Sequence, residues 1–260
     1  KASVIDMPPS AREIAAADFR ERMQRSNELH QTYLDDPGQL EQYDRFTQWQ
    51  MDYLLTFFKD LHERPGYGDA IDFVISDLAG VSISERDKDL QRAAPAITTM
   101  LPRKALETVA AAAELNAHVL EINLGIFTHL LVDRRLPDPI DERAYCVAMR
   151  EASTLEECVE LVRLAIWLGD TLKGLVKVPL LGGMVRAMRG PAHAAGFGAL
   201  QEFLETGYVT FKAIPDIDHF LAEIEARMTR VFEVIFTTPL DELDQVTLGG
   251  DGARMILGAR

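Results

Sequence analysis

Four basic side chains lie in one acid-free stretch of the chain, and they are the residues best suited to binding an anion. The stretch runs from 171 to 201, contains no Asp or Glu, and carries Lys173, Lys177, Arg186 and Arg189. The other residues hold all 41 acids and 23 of the 27 bases, since these four account for the difference. Positive charge gathered in a chain of net charge -14 indicates a surface that meets a negative group.

The spacing of the four bases predicts two pairs on two consecutive helices. Lys173 and Lys177 are four residues apart, and Arg186 and Arg189 are three apart, so each pair falls on one helix face. Pro179 suits the first turn of the second helix. A turn there would let all four positive charges surround one site.

The same stretch supplies residues that permit close approach and residues that suit an apolar ligand. Gly182 and Gly183 lack Cβ atoms, so a ligand or a neighbouring helix can approach the backbone closely. His193 follows Gly190-Pro191, which we expect to end one helix before a new helix N-terminus whose amides attract anions. The apolar lining is predicted to be Leu180, Leu181, Met184, Val185 and Phe197.

These residues predict a site for a carboxylate or phosphate group with an apolar tail beside it. Two other interpretations stay open. In one, the bases pair with acidic helices around them and the glycines allow tight packing; in the other, the stretch docks on a membrane surface or a protein partner. Neither G-x-x-x-x-G-K-[ST] nor a strand-linked G-x-G-x-x-G occurs to decide between them.

A second polar line lies on the longest predicted helix, at Glu107, Glu114, His118 and Glu121. At about 100° per residue the four fall within roughly 60° of one another, and carboxylates with an imidazole can hold a metal inside a helical bundle. Di-iron bundles use Glu-x-x-His pairs, whereas the spacing here is Glu114-x-x-x-His118. The alternative is a polar stripe that faces solvent or pairs with Arg and Lys, and we expect no metal or other cofactor.

Composition narrows the class of protein. A net charge of -14 and a pI near 4.9 argue against binding of DNA or RNA, because phosphates would be repelled over most of the surface. No run of about 18 uncharged apolar residues occurs, so we expect no membrane span. Cys146 and Cys158 are expected to be reduced, packed thiols, and with no secretory signal the protein is expected in the cytoplasm.

Apolar residues recur at steps of three and four along most of the chain, which predicts helices throughout. The longest is expected from 102 to 132 and to be central, because it is apolar on two sides. Thr154 and Glu157 form a predicted capping box. We expect an all-α, compact bundle of about eight to ten helices: one domain over 10–237, a possible subdomain boundary near 134–140, and a partly irregular tail over 238–260.

Five segments of the chain stand out together: Phe73-Val-Ile-Ser-Asp-Leu-Ala-Gly80, Ser84-Glu-Arg-Asp87, Met100-Leu-Pro102, Ala105-Leu-Glu-Thr-Val109 and the stretch from Val178 to Tyr208. These segments resemble the bacterial family named for its FFLEELY motif. The resemblance covers about residues 15–235, and the motif itself differs at Val74, Ser76, Asp77 and Ala79. The family has no assigned activity, so the resemblance implies a shared helical fold and transfers no catalytic residue.

The residues therefore favour a non-enzymatic protein that binds a small anionic amphiphile, such as a fatty acid or a phospholipid-like molecule. No G-x-S-x-G, H-E-x-x-H or C-x-x-C pattern points to an enzyme. Two alternatives remain: a scaffold in which the stretch docks an acidic partner or a second copy, and a metal-dependent enzyme using Glu114, His118 and Glu121.

Overall fold

The protein is a helical bundle in the computed structural model, which describes residues 11–34, 36–75, 89–90, 92–95 and 103–243. The labelled helices are α1 (Ala11–Leu34), α2 (Pro37–Thr56), α3 (Lys59–His62), α4 (Gly68–Asp72), α5 (Arg103–Leu130), α6 (Glu142–Ala152), α7 (Leu155–Val176), α8 (Leu181–Ala187), α9 (Arg189–Ala194), α10 (Gly198–Ala213) and α11 (Ile217–Thr237). No strand occurs among these residues, so the predicted all-α fold is confirmed.

Helix α5 is the centre of the bundle, as its two apolar faces predict. It packs against α1, α6 and α7, and α7 in turn packs against α11. Leu106, Ala117, Leu120 and Phe127 on α5 are all buried, at steps that keep them on the faces turned inward. Around Phe127 the core is aromatic, and it includes Tyr43, Phe46, Tyr145 and Phe220.

Side-chain caps fix where several helices begin. Asp36 accepts hydrogen bonds from the amides of α2, with the Gly38 nitrogen 3.0 Å away. At the start of α7 the Glu157 amide donates to the Thr154 hydroxyl at 3.3 Å, and the Thr154 amide donates to the Glu157 carboxylate at 2.8 Å. The predicted capping box is confirmed, and it satisfies backbone donors that have no partner within the helix.

One predicted helix end is wrong. Pro179 lies before α8, which begins at Leu181, and Gly190 and Pro191 lie inside α9 instead of ending a helix. Pro191 is the third residue of α9. The first-turn amides of a helix have no intrahelical acceptor, so the missing proline N–H costs nothing at that position.

Some predictions fall outside the residues that the structure describes. These are the tail beyond 243, residue 10, and the resembling segments over 76–88 and 96–102. The connector over 131–141 is described: the Leu136 amide donates to the Gln42 side chain at 2.7 Å, and Arg45 donates to the Pro137 carbonyl at 2.9 Å. These bonds tie the connector to α2, while a subdomain boundary at 134–140 stays a prediction.

A buried arginine joins α11 to the segment around α3. The Arg227 side chain, only 10% exposed, donates to both Asp60 oxygens at 2.5 and 2.9 Å and to the Phe57 carbonyl at 2.9 Å. It also donates to Glu223, one turn earlier on the same helix, at 2.8 Å. The hydrogen bond from Arg227 holds the pKa of Asp60 below its usual value.

Arg227→Met is expected to lower the free energy of unfolding at pH 7 by about 2–3 kcal/mol, because Asp60, Glu223 and the Phe57 carbonyl lose a buried donor. Because the pKa of Asp60 is lower in the folded state than in the unfolded state, Asp60 stabilises the fold at pH values above its unfolded-state pKa. This stabilisation is lost as the pH falls through the folded-state pKa. Urea unfolding between pH 7 and pH 3 should therefore show the gap between the two proteins closing on the acid side. The exposed Arg230→Met on the same helix is the control and should change stability by less than about 0.5 kcal/mol.

Candidate functional site

The acid-free stretch forms the end of α7, all of α8 and α9, and the start of α10. These four helices are mutual neighbours: α8 contacts α7, α9 and α10, and α10 contacts both α7 and α9. The folding of the chain therefore brings the predicted site residues into one part of the molecule.

Two of the four predicted bases are ion-paired with acids on later helices. Lys173 on α7 pairs with Asp218 on α11, and this hydrogen bond raises the pKa of the lysine. Arg189 on α9 donates to both oxygens of Glu205 on α10, at 3.0 and 2.5 Å. That bidentate bond lowers the pKa of Glu205. Lys173 and Arg189 therefore pair with acids of surrounding helices, as one of the alternative interpretations of the stretch predicts.

The other two bases have a different environment. Lys177 and Arg186 are exposed, and neither forms an ion pair within the part of the chain that the structure describes. The charge of Arg186 does contribute to lowering the pKa of Glu205, so the two arginines of α8 and α9 both act on one carboxylate. Lys177 and Arg186 are therefore the predicted bases still available to an external anion.

His193 and Phe197 are engaged at the junction of α9 and α10. The His193 ring nitrogen lies 3.7 Å from the Glu202 carboxylate. The guanidinium of Arg92 lies over the Phe197 ring, 5.8 Å from its centroid, and donates to the Gly196 carbonyl at 2.7 Å. These contacts position the turn between the two helices.

An aspartate from a distant part of the sequence caps α10. Phe197 precedes the helix and offers no side-chain cap. Instead, the carboxylate of Asp89 accepts from the Leu200 amide at 3.1 Å and pairs with Arg92. Burial by itself would raise the pKa of this carboxyl, but the Leu200 amide and Arg92 outweigh burial, and the pKa lies below its usual value.

The two adjacent glycines at the start of α8 have different surroundings. A Cβ on Gly182 would lie 2.5 Å from the Tyr208 ring, so the absence of a side chain lets α8 approach α10. A Cβ on Gly183 would have no heavy atom within 4 Å. Close packing within the chain therefore explains Gly182, while Gly183 leaves open backbone beside Met184, which is 64% exposed.

Large apolar side chains are exposed mainly in this region. Of the twelve such residues among those described, nine lie between 167 and 209. They are Trp167, Leu172, Leu175, Val178, Leu180, Met184, Met188, Leu204 and Val209. We call these nine side chains, together with Lys177 and Arg186, the basic apolar surface. Exposed apolar side chains concentrated on neighbouring helices make this region the candidate interaction site.

The helices that carry this surface contribute little to the core. No residue of α8 or α9 is buried, and in α10 the buried residue is Gln201, which donates to the Val185 carbonyl at 2.6 Å. On α7, Leu168 is buried, whereas Leu172, one turn further on the same face, is exposed. The apolar seam of α7 therefore extends beyond the part of the bundle that covers it.

Leu180 stands in a turn position that normally takes glycine. It has φ 68° and ψ -8°, follows Pro179, and precedes Leu181, whose amide donates to the Val178 carbonyl at 3.4 Å. Proline at the second residue and a left-handed third residue are the pattern of a type II turn, in which the third residue is usually Gly or Asn. The leucine is 84% exposed, the highest value among the exposed large apolar residues described.

Two glutamates of the second predicted polar line, on α5, form ion pairs with arginines from α1. Glu114 lies 2.5 Å from Arg22 and 3.2 Å from His118, and Glu121 pairs with Arg25. No group of three or more His, Cys, Asp or Glu side chains within the described ranges is placed to hold a metal ion. The structure thus shows the polar stripe that pairs with arginines.

Both cysteines are unpaired and buried in the core near α6 and α7. Burial raises the pKa of the Cys146 thiol to about 12 and also raises that of Cys158. A thiol with a raised pKa is a poor nucleophile, so these residues act as packed side chains.

The structure is that of an all-α protein that exposes basic and apolar side chains on one group of neighbouring helices. A family model described as "Domain of unknown function (DUF8198)" matches residues 29–241, and the chain belongs to this family. The family is uncharacterised, as the resemblance implied. Searches of curated proteins and of solved structures gave no match. None of the described helices has the length and apolar character needed to cross a membrane.

The acidic partners of the site were not found from the sequence. Asp218 and Glu205 are 45 and 16 residues away from the bases that they bind, and Asp89 caps a helix 111 residues later. Only a folded chain brings such distant residues together. One signal was present: α10 starts without Ser, Thr, Asp or Asn at its cap, so another part of the chain had to satisfy its first amides.

The two neighbouring glycines provide a matched pair of variants. Gly183→Ala is expected to raise the free energy of unfolding by about 0.5–1 kcal/mol, because alanine favours the helix and meets open space. Gly182→Ala is expected to lower it by about 1–3 kcal/mol, because its Cβ would collide with Tyr208. Thermal and urea unfolding of both variants measure the difference, and equal effects would contradict the packing of α8 on α10.

Asp89→Asn is expected to destabilise the protein at pH 7 by about 1–2 kcal/mol, since the amide keeps an acceptor for Leu200 but loses the charge facing Arg92. Because the pKa of Asp89 is depressed by folding, the stability it provides is present above the unfolded pKa of about 4 and is lost as pH falls through the folded pKa. Unfolding curves of wild type and variant should converge below about pH 4. A constant gap between pH 7 and pH 3 would exclude this role.

Proposed function

We propose that the protein binds an anionic amphiphile on its basic apolar surface. The observation that supports this most directly is the position of Lys177 and Arg186, two exposed cations without an ion-pair partner among the described residues, within a region of exposed leucines, methionines and valines. An amphiphile with a carboxylate or phosphate head and an alkyl tail matches both features of the surface.

The electrostatics favour a negative head group at this place although the whole chain is acidic. Two acids near the surface pair with its other bases, Asp218 with Lys173 and Glu205 with Arg189, and Glu202 lies 3.7 Å from His193. More distant acids are screened beyond about 8 Å at physiological ionic strength. An anion at the surface is therefore attracted mainly by Lys177 and Arg186.

The apolar part of the surface provides binding free energy for a tail. Removing about 200 Å² of apolar area from water contributes on the order of 5 kcal/mol, before the entropic cost of association is subtracted. Leu180, Met184 and Met188 are well suited to this contact because they are exposed already, so no rearrangement of the core precedes binding. Methionine also adapts to irregular apolar ligands.

The binding role assigns no reaction to the surface, and we propose a non-enzymatic protein. The resemblance to the FFLEELY-motif family supports a bacterial origin. Two unpaired thiols in the core fit a reducing compartment, which supports the cytoplasm as the place of action.

Exchanging the charges of the two unpaired bases tests the proposal. We expect Lys177→Glu with Arg186→Glu to weaken binding of dodecanoate, kept below its critical micelle concentration, by at least about tenfold, since each exchange turns an attraction into a repulsion. Isothermal titration calorimetry measures the affinity. Arg163→Glu, an exposed arginine on α7 that pairs with Glu160, is the matched control and should leave the affinity within about twofold.

Two results would contradict the proposal. One is wild-type protein that takes up no dodecanoate and no phosphate-headed analogue such as dodecyl phosphate. The other is a double variant that melts like wild type and still binds with unchanged affinity. Arg189 is left in place in this test because its bond to Glu205 joins α9 to α10, and its loss would change the local geometry of these two helices.

A further inference from the structure

We infer that the basic apolar surface takes its anionic amphiphile at the face of a lipid bilayer, with the exposed side chains of α8 and of the turn before it inserted among the lipids. This inference rests on the proposed function and names the source of the ligand. It makes the protein one that attaches to an anionic membrane surface without a spanning helix.

The shape of the surface favours a bilayer over a single bound molecule. Sites for small ligands are concave and bury about 70–90% of the ligand. Here the binding side chains stand out from short helices in which no residue is buried. A lone fatty acid covers only part of an open surface, whereas a bilayer provides an apolar phase of its own for all of these exposed side chains.

The arrangement of residues matches that of a segment lying in a membrane interface. Met184 and Met188 are four residues apart and joined by a backbone hydrogen bond of 3.1 Å, so they share one side of the segment, and the Leu180 carbonyl before them accepts from the Met184 amide at 3.0 Å. Lys177 and Arg186 lie close to them in sequence, and both are exposed. Apolar side chains with flanking Lys or Arg are typical of interfacial helices, the cations pairing with anionic head groups.

The backbone conformation of Leu180 indicates that its apolar side chain has a role in binding, because the turn itself would form more readily with glycine. A left-handed residue with a Cβ is strained relative to glycine, and the type II turn would form more readily with glycine. Packing does not offset this cost, because the side chain is 84% exposed. A large apolar side chain at the tip of a turn beside exposed methionines is the arrangement expected of an inserting residue.

A second copy of the chain is a less suitable occupant. In a dimer with two-fold symmetry the same patch lies on both sides of the interface, so Lys177 and Arg186 would approach their own counterparts. Like charges brought together in an interface oppose association. An anionic bilayer meets the same two cations with complementary charge.

Vesicle sedimentation tests the inference. We expect the protein to bind vesicles of phosphatidylglycerol mixed with phosphatidylcholine, and to bind vesicles of phosphatidylcholine alone at least tenfold more weakly. Raising the salt concentration should weaken binding to the anionic vesicles. Lys177→Glu with Arg186→Glu should reduce it by more than about 25-fold, from roughly fivefold for each cation lost.

Leu180→Gly separates an inserting side chain from a structural one. We expect this variant to bind anionic vesicles at least fivefold more weakly, and to have an equal or higher melting temperature because the strained turn is relaxed. Val132→Ser is the matched control, since Val132 is as exposed as Met184 but lies in the connector after α5, and it should leave vesicle binding unchanged. Leu180→Gly that melts earlier, or that binds vesicles like wild type, would overturn the assignment.

The remaining outcomes distinguish this inference from the proposed function. Binding of dodecanoate without binding of anionic vesicles overturns the bilayer inference and leaves the proposed function intact. Binding of neither overturns both. Equal binding to neutral and anionic vesicles overturns the role of the cations. A dimer seen by light scattering that Leu180→Gly dissociates, without vesicle binding, would assign the surface to a second copy.

Discussion

The burial of α5 is the constraint on which the bundle depends. This helix is apolar on two sides, so it is stable only where other helices cover both, and α1, α6 and α7 do so. Helix α1 also supplies the arginines that pair with Glu114 and Glu121 on α5. Once α7 is fixed by this packing, its end projects past the core and carries the following residues away from it.

The region from α8 to α10 is organised by a different kind of interaction. It has few buried apolar residues. Arg189 binds Glu205 within the region, while Asp89 accepts from the Leu200 amide of α10 and the Phe203 ring stacks on Phe73 with a centroid distance of 5.3 Å, so these two contacts attach α10 to other parts of the chain. Exposed ion pairs contribute little stability, whereas directional bonds fix geometry. In the region from α8 to α10, these directional bonds therefore fix the positions of apolar side chains that no other part of the described chain covers.

The fold was predictable because the signals were local. The hydrophobic period and the capping residues of a helix each depend on a few neighbouring positions in the sequence. The sequence therefore predicts both the central position of α5 and the capping box at Thr154. The prediction that a helix ends at Gly190-Pro191 is wrong because a proline at the third position of a helix, as in α9, and a proline just after a helix can have the same local sequence. In the site, the pairing of Lys173 and Arg189 depends on side chains from later helices, and no spacing rule contains that information.

The acid-free stretch contains two kinds of base, and each kind fits a different interpretation of the stretch. Arg189 and Lys173 satisfy the structural interpretation, because each holds its own helix to a neighbour through a carboxylate. Lys177 and Arg186 do not, because they remain exposed beside Leu180 and other apolar side chains. The absence of acids within the stretch fits both kinds of base. An acid inside it would be able to pair with Lys177 or Arg186, whereas Lys173 and Arg189 pair with acids that lie outside it.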